Sequence, residues 1–298
     1  MMFLKVSFRL VLILIAVPSC VFAQSPGRRI AIAVLSFGDS QIGHESSALL
    51  ASSLRSIEQL QIADSDQTRA AATGAGYAPS LNMAVAEART LGAVVGSDLY
   101  ILGDAQTLRR SPSAGPIYFE SYASIFAVSS RTGRLVSWQR LSFQAPTPTS
   151  STSLLLAALS HNDLREKLFV AIRRALTEEQ TARESAIDKG IPVIEEAPED
   201  EKVATADGLR LPRPYRRLQP SYPDTAQQAE AEAIVDVLVD LNKNGEVTHA
   251  EIARWAGFGL DETSLETVRK LHFFPAMRNG NAIPLRVLLR YNFRKPPR

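Results

Sequence analysis

Ala233-Ile-Val-Asp-Val-Leu-Val-Asp-Leu241, closed by Asn242-Lys-Asn-Gly245, is the stretch whose pattern decides the fold. Ala233, Val235, Val237, Val239 and Leu241 occupy alternate positions. Alternate side chains of a pleated strand share a face, so these five predict a half-buried strand. Asn242 to Gly245 supplies the residues that reverse a chain. A second strand is expected around residues 250–254. Leu260-Asp261 then opens a helix, with Asp261 a suitable N-cap and Leu265, Val268 and His272 on one apolar face. Asn279-Gly280 is a tight turn. The last strand alternates cleanly: Ile283, Leu285, Val287, Leu289, Tyr291 and Phe293 form one face, and Arg286, Leu288, Arg290, Asn292 and Arg294 the other. The order is ββαβ. On its helix His272 is expected to be a buried structural residue, and Trp138 and Trp255 core or half-buried strand residues.

Upstream, the acidic and proline-containing run Ile191-Pro-Val-Ile-Glu-Glu-Ala-Pro-Glu-Asp-Glu-Lys202 has no apolar period and predicts a flexible, solvated linker. Before it, a buried strand is expected at residues 29–37, a helix at 45–59 and a short strand near Gln61. A loop follows at 73–79, then a helix at 81–91 and a strand at 97–107. Tyr118–Val128 and Leu135–Phe143 read as strands joined by the turn Arg131-Thr-Gly-Arg134. Residues 145–153, rich in Ser, Thr and Pro, lead to a long helix striped by Leu164, Leu168, Ile172 and Leu176. The expected class is α+β with two domains: an N-terminal α/β domain ordered βαβαβββα at 28–180, a linker at 181–209, and a small ββαβ domain at 210–298. Arg210, Arg213, Arg216 and Arg217 make a basic run, read either as a solvated flank or as a surface for anions.

At the N-terminus, Lys5 and Arg9 precede the apolar run Leu10–Val17, and Val21-Phe-Ala23 offers small residues for cleavage before Gln24. The run is shorter than the roughly 20 residues a spanning helix needs, so residues 1–23 are expected to be a signal peptide of an exported, periplasmic protein. The alternatives are an uncleaved inner-membrane anchor and lipidation at Cys20. Cys20 is the only cysteine, so the expected mature chain has no disulfide and no thiolate chemistry.

Of 298 residues, 21% are charged and the net charge is +2, which gives no concentrated basic face for nucleic acid. His44, His161, His249 and His272 are scattered without metal-ligand spacing. Gly74-Ala-Gly76 lacks the lysine of a phosphate loop, and no Gly-x-Ser-x-Gly elbow occurs. No catalytic residue and no cofactor are expected. One motif competes: Asp240, Asn242, Asn244, Gly245, Val247 and Glu251 fit a calcium loop, with Asp240, Asn242, Asn244 and Glu251 as ligands. Against it, the residues before Asp240 alternate as a strand, whereas that loop needs a helix on each side.

The C-terminal pieces in their order resemble the TonB C-terminal domain. The resemblance runs from Gln219-Pro-Ser-Tyr-Pro223 and Ala226, through the valine-rich strand, the Asn-Gly turn and Gly259-Leu-Asp261, to Val268-Arg269, Phe274-Pro-Ala276, Asn279-Gly280 and Phe293. It implies binding of the TonB box of outer-membrane TonB-dependent receptors by strand addition to the sheet edge. The implied contacts are Arg286, Leu288, Arg290 and Asn292 on the last strand, and Gln219, Pro220, Tyr222 and Pro223 on the adjoining extended segment. Tol- or Exb-like envelope proteins are a second class of implied partner. The linker is shorter than an energy transducer's proline-rich spacer, which favours an adaptor over a membrane-anchored transducer. The first domain resembles the N-terminal domain of TolB, the curli-secretion lipoprotein and the penicillin-binding-protein activators, through Ile32-Ala-Val-Leu-Ser-Phe37, Asp98-Leu-Tyr-Ile-Leu-Gly103 and the Thr132-Gly133 turn.

Overall fold

The structure, a computed structural model, describes residues 28–78, 80–189, 194–198 and 201–295. The expected signal segment, with Cys20 and Gln24, lies outside the described residues.

The first half runs β1 (Ile30–Val34), α1 (Gln41–Arg55), β2 (Leu60–Ile62), α2 (Ser65–Gly74), α3 (Val85–Val95), β3 (Leu99–Arg110), β4 (Tyr118–Ser129), β5 (Leu135–Ala145), α4 (Pro148–Leu159) and α5 (Asn162–Lys189). The strands form one sheet in the order β2-β1-β3-β4-β5. β2, β1 and β3 are parallel, and β3, β4 and β5 are an antiparallel meander. Parallel strands joined by helices are covered on both faces, which is why β1 and the start of β3, Leu99–Leu102, read as unbroken apolar runs. Along β3 and β4 the faces alternate. Leu99, Ile101, Ile125 and Ala127 pack with Leu50 and Leu54 of α1, Leu155 of α4 and Leu168 of α5, while Tyr100, Leu102, Phe126 and Val128 point the other way.

In this half two helices exceed the sequence expectation. α2 is polar, burying Thr68 and Ala72 alone, and is started by Asp64, whose carboxylate accepts from the Asp66 and Gln67 amides. α4 occupies the Ser/Thr/Pro stretch: Thr147 caps it by accepting from the Ser150 amide, and Pro148 stands where a helix tolerates a missing N–H.

The second half contains α6 (Glu201–Ala206), β6 (Leu209–Arg210), β7 (Arg213–Pro214), α7 (Asp224–Ala229), β8 (Ala233–Leu241), β9 (Val247–Arg254), α8 (Leu260–Arg269), β10 (Phe273–Phe274), β11 (Ala276–Arg278), β12 (Asn281–Ile283) and β13 (Leu285–Phe293). β13, β8 and β9 form an antiparallel sheet with β8 central. β11 and β12 are a hairpin turned by Asn279 and Gly280, both at positive φ, as a two-residue turn of this hand requires. α8 ends at Arg269, so His272 lies beyond it and is exposed, contrary to the expectation of a buried helical histidine. Trp255 is fully buried and Trp138 half-buried.

The two halves share a core. Val235, Val237 and Val239 of β8 and Leu260 and Val268 of α8 belong to the same apolar cluster as Tyr100, Leu102, Phe126 and Val128 of the first sheet. The joint is the loop from β9 to α8, Trp255-Ala-Gly-Phe-Gly259. Trp255 stacks on Phe126 with ring centroids 5.9 Å apart, and its indole N–H donates to the Gly133 carbonyl at 3.1 Å. Phe258 meets Phe126 edge-on at 5.5 Å and Trp138 at 5.6 Å. Asn82 closes the joint from the other side: its amide donates to the Ile234 and Trp255 carbonyls, both at 2.7 Å, and its carbonyl accepts from the Ile234 N–H at 3.0 Å.

Candidate partner-binding edge

β13 lies at the edge of its sheet, paired along its whole length to β8, with Leu285 opposite Leu241 and Phe293 opposite Ala233. The odd-numbered residues of this pair face the core. The even-numbered ones place opposite charges directly across from each other, Arg286 against Asp240 and Arg290 against Asp236. Both pairs are two-pronged, at 2.6 and 2.9 Å for Arg286 and 2.7 and 2.9 Å for Arg290, and Arg254 of β9 reaches Asp236 at 3.5 Å. The planar guanidinium fork suits this geometry and holds the two arginine side chains flat along the sheet. Asp236 and Asp240, each 5% exposed, are covered in this way without leaving an uncompensated charge.

Backbone direction along β13 is fixed by Arg286. Its N–H donates to the Glu195 carbonyl and its own carbonyl accepts from the Ala197 N–H, both at 2.8 Å, so Arg286 turns its peptide groups away from β8. Leu288, Arg290 and Asn292 share that parity and turn the same way. Beside their end of the strand runs a groove of about 380 Å³, walled by Leu289, Tyr291, Asn292, Leu271, Phe273 and Gln219. An outward-facing backbone with a part-apolar groove beside it is what an added strand needs: the backbone gives pairing and the groove receives alternate side chains.

The eight residues expected at the interface therefore separate. Arg286, Leu288, Arg290 and Asn292 lie on the edge strand, and Gln219 on the facing wall of the groove. Tyr222 and Pro223 are engaged within the fold: the Tyr222 hydroxyl donates to the Ala231 carbonyl at 2.7 Å, its ring lies 6.4 Å from Phe293, and Pro223 occupies the N-cap position of α7. Pro220 is half-buried in the extended segment leading there.

Described residues of the expected linker are docked on this domain. Glu196 bridges Arg286 in parallel sense, Glu195 clasps Arg278 at 2.6 and 2.8 Å, and Leu209 and Ala204 pack with Ala276 and Leu285. The Arg278 hydrogen bonds hold the Glu195 carboxyl below its usual range. Residue pattern could not show this, because the strand pairing is made by backbone atoms.

The calcium-loop residues take other geometry. They sit in a β-hairpin between β8 and β9, not between helices. Asp240 is committed to Arg286, and the Asn242 side chain accepts from the Asn244 and Glu246 amides within the turn. Glu251 is on β9, 3.3 Å from Arg134 of the other half. No cluster of three metal-ligating side chains occurs among the described residues.

Asp261 has a different task from the one expected. Gly259 is the N-cap residue of α8, and Asp261, in the first turn, reaches back to accept from the Ala256 and Gly257 amides at 2.9 and 2.8 Å. It clamps a loop in which Gly257, Phe258 and Gly259 all have positive φ. A side chain at Gly257 would meet the Phe126 ring at 2.5 Å, so the close approach of the two halves requires glycine there. Burial pushes the Asp261 carboxyl up to about 7, against the pull of its two amide bonds.

Residues 218–294 match the family described as the Gram-negative bacterial TonB protein C-terminal. This segment is a TonB C-terminal domain. The solution structure of the Pseudomonas aeruginosa TonB C-terminal domain is 22% identical over 29% of this chain and 89% of that one, with a TM-score of 0.26. Lipoprotein GNA1162 of Neisseria meningitidis is 13% identical over 50% of this chain and 99% of that one, at 0.30. The C-terminal domain of LpoB from Salmonella enterica is 16% identical over 41% of this chain and 89% of that one, at 0.27. No curated protein matches the chain. The TonB C-terminal domain is a non-catalytic module, and the fold is α+β, a mixed-sheet domain followed by this one. Among the described residues no helix is long and apolar enough to cross a membrane.

Proposed function

We propose that this chain is a non-catalytic periplasmic protein whose TonB C-terminal domain binds outer-membrane TonB-dependent receptors by strand addition along β13, as an adaptor or part of an envelope transport complex. The observation that supports it is the edge: from Leu288 to Asn292 the backbone of β13 faces outward beside a groove. Affinity then comes from main-chain pairing and specificity from side chains entering the groove. The test is titration of the full chain with a peptide carrying the TonB box of a receptor from the same genome. Leu288→Pro removes an outward N–H and should weaken binding at least tenfold, whereas Leu288→Ala keeps the backbone and should change it less than threefold. Equal affinities for both variants would remove strand addition as the mode.

The location is tested separately by the N-terminal mass of protein taken from its native envelope. A start at Gln24 is the expected result. An intact Met1 would favour the membrane-anchored transducer instead, and a diacylated Cys20 a lipid-tethered scaffold.

A further inference from the structure

We infer that Glu195–Ala197 form an intramolecular strap on β13, which a partner strand must displace before it can use the whole edge. This rests on the reading of β13 as the partner-binding edge. The strap already makes the kind of contact that strand addition makes: a parallel bridge from Glu196 to Arg286 with a backbone hydrogen bond on each side of it. It is held by three attachments of different kinds. The backbone bonds fix its register, the Glu195 carboxylate grips Arg278 in a two-pronged pair, and Ala197 packs against the small apolar cluster of Ala204, Leu209, Ala276 and Leu285.

The same segment is built to go no further. Pro198, which has no N–H to give, follows the bridge, α6 begins at Glu201, and among the described residues the pairing with β13 stops at Arg286. A single bridge of this size would be negligible between separate molecules. Tethered to its own sheet it acts at an effective concentration on the order of millimolar, enough to be populated and still to yield to a longer strand. The Glu195–Arg278 pair is about half exposed and is therefore the salt-sensitive part of the hold. The result is a threshold: partners that pair only with residues 288–292 bind without release, and those that reach Arg286 compete with the strap.

The experiment uses the full chain and two variants. Ala197→Pro removes the N–H that reaches Arg286, and Glu195→Arg places like charge against Arg278. In the wild type the Arg286 amide should exchange with solvent at least tenfold more slowly than the Leu288 amide, and in both variants that protection should be lost. Affinity for a receptor peptide long enough to pair from Arg286 to Asn292 should rise three- to tenfold in both, while a shorter one confined to residues 288–292 should bind all three alike. Wild-type Arg286 exchanging as fast as Leu288 would overturn the strap itself. Protection lost with affinity unchanged would overturn the competition. Protection lost with no peptide bound by any of the three would sink the partner reading, and the competition with it, while leaving the strap as a contact of the fold.

Discussion

Trp255→Ala is expected to destabilise the protein by about 3–5 kcal/mol, the range for truncating a buried aromatic, and by about 1 kcal/mol more for the Gly133 carbonyl left without its donor. Trp255 is 1% exposed, stacks on Phe126 of the interior strand β4, and is fixed at both backbone ends, its N–H donating to Met83 and its carbonyl accepting from Asn82. The TonB-type domain cannot relax around the vacancy without loosening its hold on the first sheet. Equilibrium denaturation in urea would therefore show one transition for the wild type and two for the variant, the first at lower denaturant. A loss below about 1 kcal/mol with a single transition, the scale of an ordinary exposed substitution, would mean that the two halves are not held through this side chain. Trp138→Phe, at the half-buried partner of Phe258, is the control that keeps the ring contact.

The second large effect is a pH dependence. In the unfolded chain the Asp261 carboxyl releases its proton near 3.8, and in the folded protein near 7. Between those values the folded state keeps a proton that the unfolded chain has lost. The contribution favouring folding is therefore fully present below about pH 4 and is lost as pH rises through about 7. At about 1.4 kcal/mol for each pH unit the ceiling is roughly 4 kcal/mol, reduced by relaxation of the loop. Asp261→Asn removes the titration while keeping one acceptor for the Ala256 and Gly257 amides. Near pH 4 the wild type should be the more stable of the two by about 1 kcal/mol, since the variant loses one acceptor. By pH 8 the order should reverse. A stability difference that stays constant from pH 4 to 8 would show that Asp261 is ionised throughout.

Strands with a strict period were legible, and in the second domain so was the order of β8, β9, α8 and β13. Val235, Val237 and Val239 announce β8, and the alternation to Phe293 announces β13, because burying one face imposes a period of two. The edge position of β13 could be expected only from the resemblance. α2 was hidden by its polarity, and α4 by a composition typical of linkers, although Thr147 and Pro148 are start signals that a search for caps would have found. Phe258 was invisible as a joint residue because it stands in a loop, where periodicity says nothing. For Glu195–Ala197 no side-chain signal exists at all: an acidic, proline-containing run predicts solvation, and the contact with Arg286 belongs to the backbone.

The shared core also determines how load would travel through the molecule. A tension applied between the first sheet and a strand gripped by β13 would not first draw out a slack tether. It would arrive at once on Trp255, Phe258 and the Asn82 clasp, which bridge the halves side by side with the covalent chain. Those contacts would be loaded in parallel and would yield together, so the protein would behave under pull as a stiff coupling with one breaking point. Extension of residues 181–209 would come only after that break.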